Sequence, residues 1–306
     1  MAAPELRLTT ADADLKTVIA NFIIDRQAIG LSSNTIRFYR DELGLFERWM
    51  TGQGMTCTLA ISSDVLRSYF TDLADRRNQG GVHTSYRAIK AMLRWLEQEE
   101  DGDYRNPIDK VKVKAAKVKA RPGVPIENIQ RMIDACQGPL ALRDQTILRL
   151  FLDTGARAFE FVALNLGDLE LTSGAVKIMH GKGDKERTVY IASHSRRSLK
   201  RYLKTRTHLN LSAPLWLTDE GDRLTKRGLR SVIERRANDA SVPVPGLHDF
   251  RRAFAVNMWN NGIDLLTISR LMGHSSIEVT KRYIDPDELE IRERHAKGSP
   301  VDNADL

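Results

Sequence analysis

Apolar residues recur at every third or fourth position through most of the chain, a spacing that predicts a protein built mainly of amphipathic helices. A first helix spans roughly 14–29. A second opens at Ser32 or Ser33, either a good N-cap, and sets Ile36, Tyr39, Leu43, Phe46 and Met50 on one face. A third begins near Ser63 and Asp64. The fourth, VHTSYRAIKAMLRWLEQEE, turns Ile89, Met92, Leu93 and Leu96 inward and Arg87, Lys90 and Arg94 outward. Residues 126–165 again read as helices. The period then drops to two: AVKIMH and RTVYIA flank GKGDKE over residues 175–192, which predicts a β-hairpin with Gly-Lys-Gly-Asp turn chemistry. Helices return at about 194–206, 225–239, 248–260, 264–272 and 276–283, with a last one from about 286 to 296.

Between the two helical blocks, NPIDKVKVKAAKVKAR at 106–121 lacks helical periodicity and is followed by Pro122, Gly123 and Pro125. The expected layout is therefore a four-helix domain at 1–105, a linker at 106–125, and a mixed α+β domain at 126–306 with a small antiparallel sheet. Charge sharpens this picture. The 306 residues carry a formal +7, yet residues 106–121 hold six basic side chains against one acidic. Most charge runs are solvated tethers. The sharper alternative is a strap over a phosphate backbone, with Lys112, Lys114, Lys117 and Lys119 displacing condensed counterions. The Arg87, Lys90, Arg94 stripe divides the same way, between an ordinary solvated face and a DNA contact.

Several classes are disfavoured. No apolar run nears the roughly 18 residues of a membrane span, and the N-terminus has no signal-peptide pattern. Cys57 and Cys136 are isolated, which fits neither a disulfide framework nor a zinc site and suits a reducing cytoplasm. GKGDKE lacks the Ser or Thr and the following helix of a Walker loop. No H-E-x-x-H pair and no G-x-S-x-G elbow occur.

What remains is Arg157, Lys182, His248, Arg251, His274 and Tyr283. Singly, each has a duller explanation as a surface cation, a helix-end cap or a half-buried aromatic. Together and in order they are specific. TGAR with Glu160, the GKGDKER turn, HDFRRAFA and LMGHSSIEVTKRY resemble the signature boxes of the tyrosine recombinase (phage integrase) family, down to a tyrosine nine residues beyond the Gly-His histidine. Neighbours depart from the usual pattern. Ala156 stands for leucine, Ala158-Phe159 for Ile-Ser, and Arg252 where a second histidine often follows.

The resemblance implies a core-binding first domain, a catalytic second domain and no metal or cofactor. It also implies the roles. Arg157 and Arg251 clamp the scissile phosphate, His248 is the general base, and Lys182 protonates the leaving 5′-oxygen, with Lys185 its rival. His274 donates to the phosphate, and Tyr283 is the nucleophile. Glu160 and Asp249 are expected to orient the arginines or the histidine. The implied partners are double-stranded DNA with inverted-repeat core sites and a homo-tetramer, or a hetero-tetramer with a paralogue. The 286–296 helix is the expected intersubunit contact, and the location is the cytoplasm, on the nucleoid. Helices starting near residue 12 suggest the simple two-domain, Xer-like or Cre-like layout. Two rivals remain: a non-catalytic DNA-binding protein of the same fold, and a type IB topoisomerase-like nicking-closing enzyme.

Overall fold

The computed structural model describes residues 13–99, 105–115, 123–179, 186–206, 210–274, 276–284 and 288–299. The chain divides into two units, Met1–Lys117 and Val118–Leu306.

The first unit holds helices α1 (Leu15–Ala28), α2 (Ser33–Gly52), α3 (Ser63–Arg76) and α4 (Gln79–Glu99). Ser32 caps α2 and Ser62 caps α3, each side-chain oxygen accepting an N–H three residues on. Such a cap contributes about 1 kcal/mol. The apolar faces of the four helices share one core around Phe22, Leu43, Phe46, Ile89 and Met92. The first part of the expected linker packs here too. Ile108, in a 3-10 turn at Pro107–Lys110, is buried with Val111, while Lys112 and Lys114 are exposed. Backbone carbonyls of Lys110 and Lys114 accept bonds from Arg67 and Gln79. An alternating Val-Lys run can lay its valines on a core and its lysines in water, which a search for helical period does not register.

The second unit begins with α5 (Ile126–Asp134), α6 (Ala141–Thr154) and α7 (Ala158–Ala163). An antiparallel sheet follows in the order β1 (Leu169–Glu170), β2 (Ala175–Ile178), β3 (Arg187–Tyr190). Val176 pairs with Val189 on the buried face, and Lys177 pairs with Thr188 on the exposed one. The chain continues through α8 (Ser193–Leu203), α9 (Lys226–Asp239), α10 (Leu247–Asn260), α11 (Leu265–Met272), α12 (Ile277–Lys281) and α13 (Glu288–Gly298). Its main core centres on Phe151, Phe161, Trp216 and Phe250. A smaller cluster of Phe254, Ala255, Ile268, Met272 and Ile284 supports Tyr283.

Two differences from the expected elements bear on the site. The helical stretch after residue 126 is broken at Gly155, which adopts a left-handed φ of +55°. A Cβ there would also lie 2.4 Å from the Phe254 ring, so glycine is required by conformation and by space. The helix expected at 276–283 stops at Lys281, leaving Tyr283 in the turn beyond it. Among the described residues no helix is long and apolar enough to cross a membrane.

Candidate active site

Four turns deliver the site. Gly155 ends α6 and redirects the chain so that Arg157 becomes the N-cap of α7. The Arg157 N–H donates to Glu160 Oε2 at 2.8 Å, and its guanidinium donates to Glu160 Oε1 at 3.0 Å. Asp249 caps α10 through the Gly246 N–H at 2.7 Å, and His248 and Arg251 follow one turn apart. Gly273, at φ +64°, ends α11 and turns the chain toward His274. The turn after α12 carries Tyr283, whose N–H donates to Thr280 O.

These turns bring five of the six expected catalytic residues together. His248 Nε2 lies 2.9 Å from Tyr283 Oη. Both imidazoles flank the phenol, with ring centroids 5.8 Å away for His248 and 5.9 Å for His274. Arg251 is 1 % exposed and donates to Gly155 O, to Met272 O and to His274 Nε2. Because a guanidinium only donates, Nε2 of His274 is the acceptor, and its Nδ1–H donates to Thr280 Oγ1 at 2.7 Å. Among the described residues, Arg251 Nε has no acceptor although it is buried. An orphaned buried donor costs about 1–3 kcal/mol, a cost that an acceptor placed against it would relieve. Beside it lies a cleft of about 210 Å³ lined by Arg157, Phe159, Lys226, Leu247, His248 and Arg251.

The electrostatics follow from crowding cations around two rings. His274 is pushed down to about 3, first by burial and then by Arg251, Arg157 and Arg187. His248 is lowered by burial and then by Arg252 and Arg251. Arg251 itself is pushed down to about 10, by burial and then by Arg157 and Arg187. Burial alone would raise the Glu160 carboxyl, but its bonds to Arg187 and Arg157 hold it below the usual range.

A stability consequence can be measured. The ordinary imidazole value of about 6.5 applies to the unfolded chain. Between that pH and about 3 the unfolded state takes up a proton that folded His274 refuses, so stability falls as pH falls through this window. His274→Asn should therefore lose less melting temperature than the wild type between pH 7 and pH 4.5, as thermal unfolding at the two pH values would show.

The structure departs from expectation in two respects. Asp249 pairs with Arg252 at 2.7 Å and caps its helix, and bonds neither His248 nor Arg251. His274 accepts from Arg251 in this state instead of presenting a proton. Of the DNA-contact candidates in the first unit, Arg94 is paired with Asp109 at 2.8 Å, Arg87, Lys112 and Lys114 are exposed, and Lys90 sits over the Tyr86 ring. Lys182 and its rival Lys185 lie outside the described residues, as do Lys117 and Lys119.

Three site residues were not anticipated. Thr280 accepts from His274 Nδ1, Lys226 lines the cleft at the start of α9, and Arg187 binds Glu160. For Arg187 a signal existed: it shares a strand face with buried Val189, and an inward-facing arginine needs a carboxylate.

Comparison with known proteins adds an independent line. Residues 124–290 match the phage integrase family. The chain is 30% identical over 285 residues to the tyrosine recombinase XerD of Ralstonia nicotianae, covering 89% of this chain and 90% of that protein. Among solved structures, XerH site-specific recombinase bound to difH substrate superposes with a TM-score of 0.69 at 20% identity, covering 92% of this chain and 83% of the other. A lambda integrase tetramer bound to a Holliday junction gives 0.73 at 13% identity, covering 90% and 78%. At such identities the structural likenesses speak to the fold alone.

Proposed function

Because the chain belongs to the phage integrase family, whose XerD relative is a tyrosine recombinase, we propose that it is a site-specific DNA recombinase with Tyr283 as its nucleophile. The observation that carries the proposal is the 2.9 Å contact of Tyr283 Oη with His248 Nε2, set among Arg157, Arg251 and His274. Tyr283 Oη attacks the scissile phosphorus while its proton passes to His248. The bond from phosphorus to the 5′-oxygen breaks, leaving a 3′-phosphotyrosyl link and, once that oxygen is protonated, a free 5′-hydroxyl. Lys182 is the donor that the family pattern suggests for that proton.

The attack spreads charge over the non-bridging oxygens, so preorganised cationic donors lower the barrier most. Arg157 and Arg251 fit that task, since a planar fork stays protonated and can reach two oxygens. A phosphodiester between them would balance the charge that keeps His274 neutral, allowing Nε2 to carry a proton toward an oxygen. The phosphotyrosyl bond keeps the energy of the cleaved diester, so rejoining needs no nucleotide. The partner is duplex DNA with inverted-repeat sites, bound by four subunits of this chain or by this chain with a paralogue. α13 is our candidate for the contact between subunits.

The test is a duplex nicked beside the cleavage site, so that the released fragment diffuses away and the adduct accumulates. A protein–DNA adduct at the 3′ side, with a 5′-hydroxyl that a kinase can label, is expected. No adduct on any cognate duplex, despite tight binding, would return the chain to a binding-only role. The rate should stay level near neutrality and drop only below about pH 6.5, the ordinary imidazole value. Since His248 is lowered from that value, its neutral, proton-accepting form persists into mild acid. A profile that falls already between pH 8 and pH 7 would remove His248 as the base.

A further inference from the structure

Arg187 stands outside the six residues above, yet it ties together three of the segments that carry them. It opens β3, where pairing with Ile178 on β2 fixes its backbone. Its side chain is 11% exposed. Nη1 and Nη2 donate to the two oxygens of Glu160 at 3.0 and 2.6 Å, and Nε donates to Leu271 O, near the end of α11, at 3.0 Å. Gly273, one residue before His274, lies against the same side chain: a Cβ built there would meet Arg187 Cδ at 2.8 Å. Nothing about cleavage assigned above uses this arginine.

Two arginines share the Glu160 carboxylate, and the geometry divides it unequally. Arg187 engages both oxygens, while the Arg157 guanidinium makes one contact, at 3.0 Å. Glu160 is fully buried, so its charge must be compensated by whatever cation is near. Without Arg187, that cation is Arg157. Its fork would close on the carboxylate in the bidentate geometry such pairs prefer, and turn from the cleft that it lines with His248 and Arg251.

We propose that Arg187 is a positioning residue for strand cleavage, which saturates Glu160 so that the Arg157 fork faces the phosphate, and which joins the β2–β3 hairpin to the turn bearing His274. The inference rests on the function proposed above and requires no contact between Arg187 and DNA. It separates two roles for the Glu160 side chain. One oxygen caps α7 through the Arg157 N–H, which a neutral amide can also do; the negative charge matters only because Arg187 answers it.

The experiment compares Arg187→Gln, Glu160→Gln and the double variant on the nicked duplex, in single turnover, with DNA affinity and thermal unfolding measured alongside. Arg187→Gln should cleave about 10²-fold more slowly with DNA affinity preserved, the size of effect that misplacing a catalytic group produces. The double variant should regain most of that loss, because the neutral amide that replaces the Glu160 carboxylate no longer captures Arg157. A double variant as slow as Arg187→Gln overturns the proposal, since it would mean that Arg187 acts as a strut or touches the phosphate itself. Wild-type speed in Arg187→Gln overturns it as well, and leaves the recombinase reading standing. Absence of a Tyr283-dependent adduct in the wild type removes that reading, and the inference with it. Should Arg187→Gln not fold, Arg187→Lys serves. An ammonium keeps the charge but cannot span Glu160 and the Leu271 carbonyl, so slower cleavage at an unchanged melting temperature is expected.

Discussion

Tyr283→Phe is expected to eliminate the covalent DNA adduct while leaving DNA binding intact. The substitution removes one oxygen and little else. The ring keeps its place against the Phe254, Ile268 and Met272 cluster and between the two imidazoles. The lost bond to His248 is exposed, so its removal costs about 0.5–1.5 kcal/mol at most, and the fold should hold. Chemistry has no such margin. Removing the nucleophile of an enzyme that acts through a covalent intermediate lowers its rate by roughly 10⁶-fold, beyond what a denaturing gel detects. The measurement pairs that gel with a mobility-shift assay on the same samples. An adduct that persists in the phenylalanine variant would move the nucleophile elsewhere and dissolve the roles assigned to His248 and His274 around it.

The elements were legible where the chain obeys one period at a time. Helices α2 and α4 show their buried faces in the spacing of Leu43, Phe46 and Met50, and of Ile89, Met92 and Leu96. β2 and β3 show theirs in Val176, Ile178 and Val189. The boundaries that matter for chemistry were set by contacts distant in sequence. Gly155 breaks a helical run through its left-handed φ, and Phe254, 99 residues on, fills the space any side chain there would need. α12 ends before Tyr283, next to a buried Thr280 whose hydroxyl is held by His274.

For the site, residue types and order were legible and pairings were not. The chemistry of strand cleavage calls for two arginines, a base and a phenol, and the signature boxes supply them at recognisable spacing. Nothing local says that Arg251 would bond carbonyls 96 and 21 residues away, at Gly155 and Met272. Nor does proximity in sequence choose well. Asp249 is next to His248 yet is held by Arg252 and the α10 cap, so the position often held by a second histidine here supplies a cation that lowers His248. The same failure hid Arg187, whose carboxylate partner is 27 residues upstream.

Arg251→Gln is expected to separate function from stability more sharply than any other change at the site. Its catalytic effect should be a loss of about 10²–10³-fold in cleavage rate, the usual result of deleting one preorganised donor to a developing anion. Its effect on folding combines two opposed terms. Three donations disappear, to Gly155 O, Met272 O and His274 Nε2, though the new amide can restore part of them. Against this, the variant removes a buried cation whose ionised form is opposed by burial and by Arg157 and Arg187, enough to push it down to about 10. The two should nearly offset, leaving the melting temperature little changed. His274 reports the same removal independently. Arg251 is, after burial, the largest influence holding that imidazole near 3, so the variant's His274 should titrate measurably higher by NMR, while still below the ordinary value because burial remains. A collapsed melting temperature with an unmoved His274 would make Arg251 a structural strut. The phosphate clamp would then have to be built from Arg157 and Lys226, the other two cations lining the cleft among the described residues.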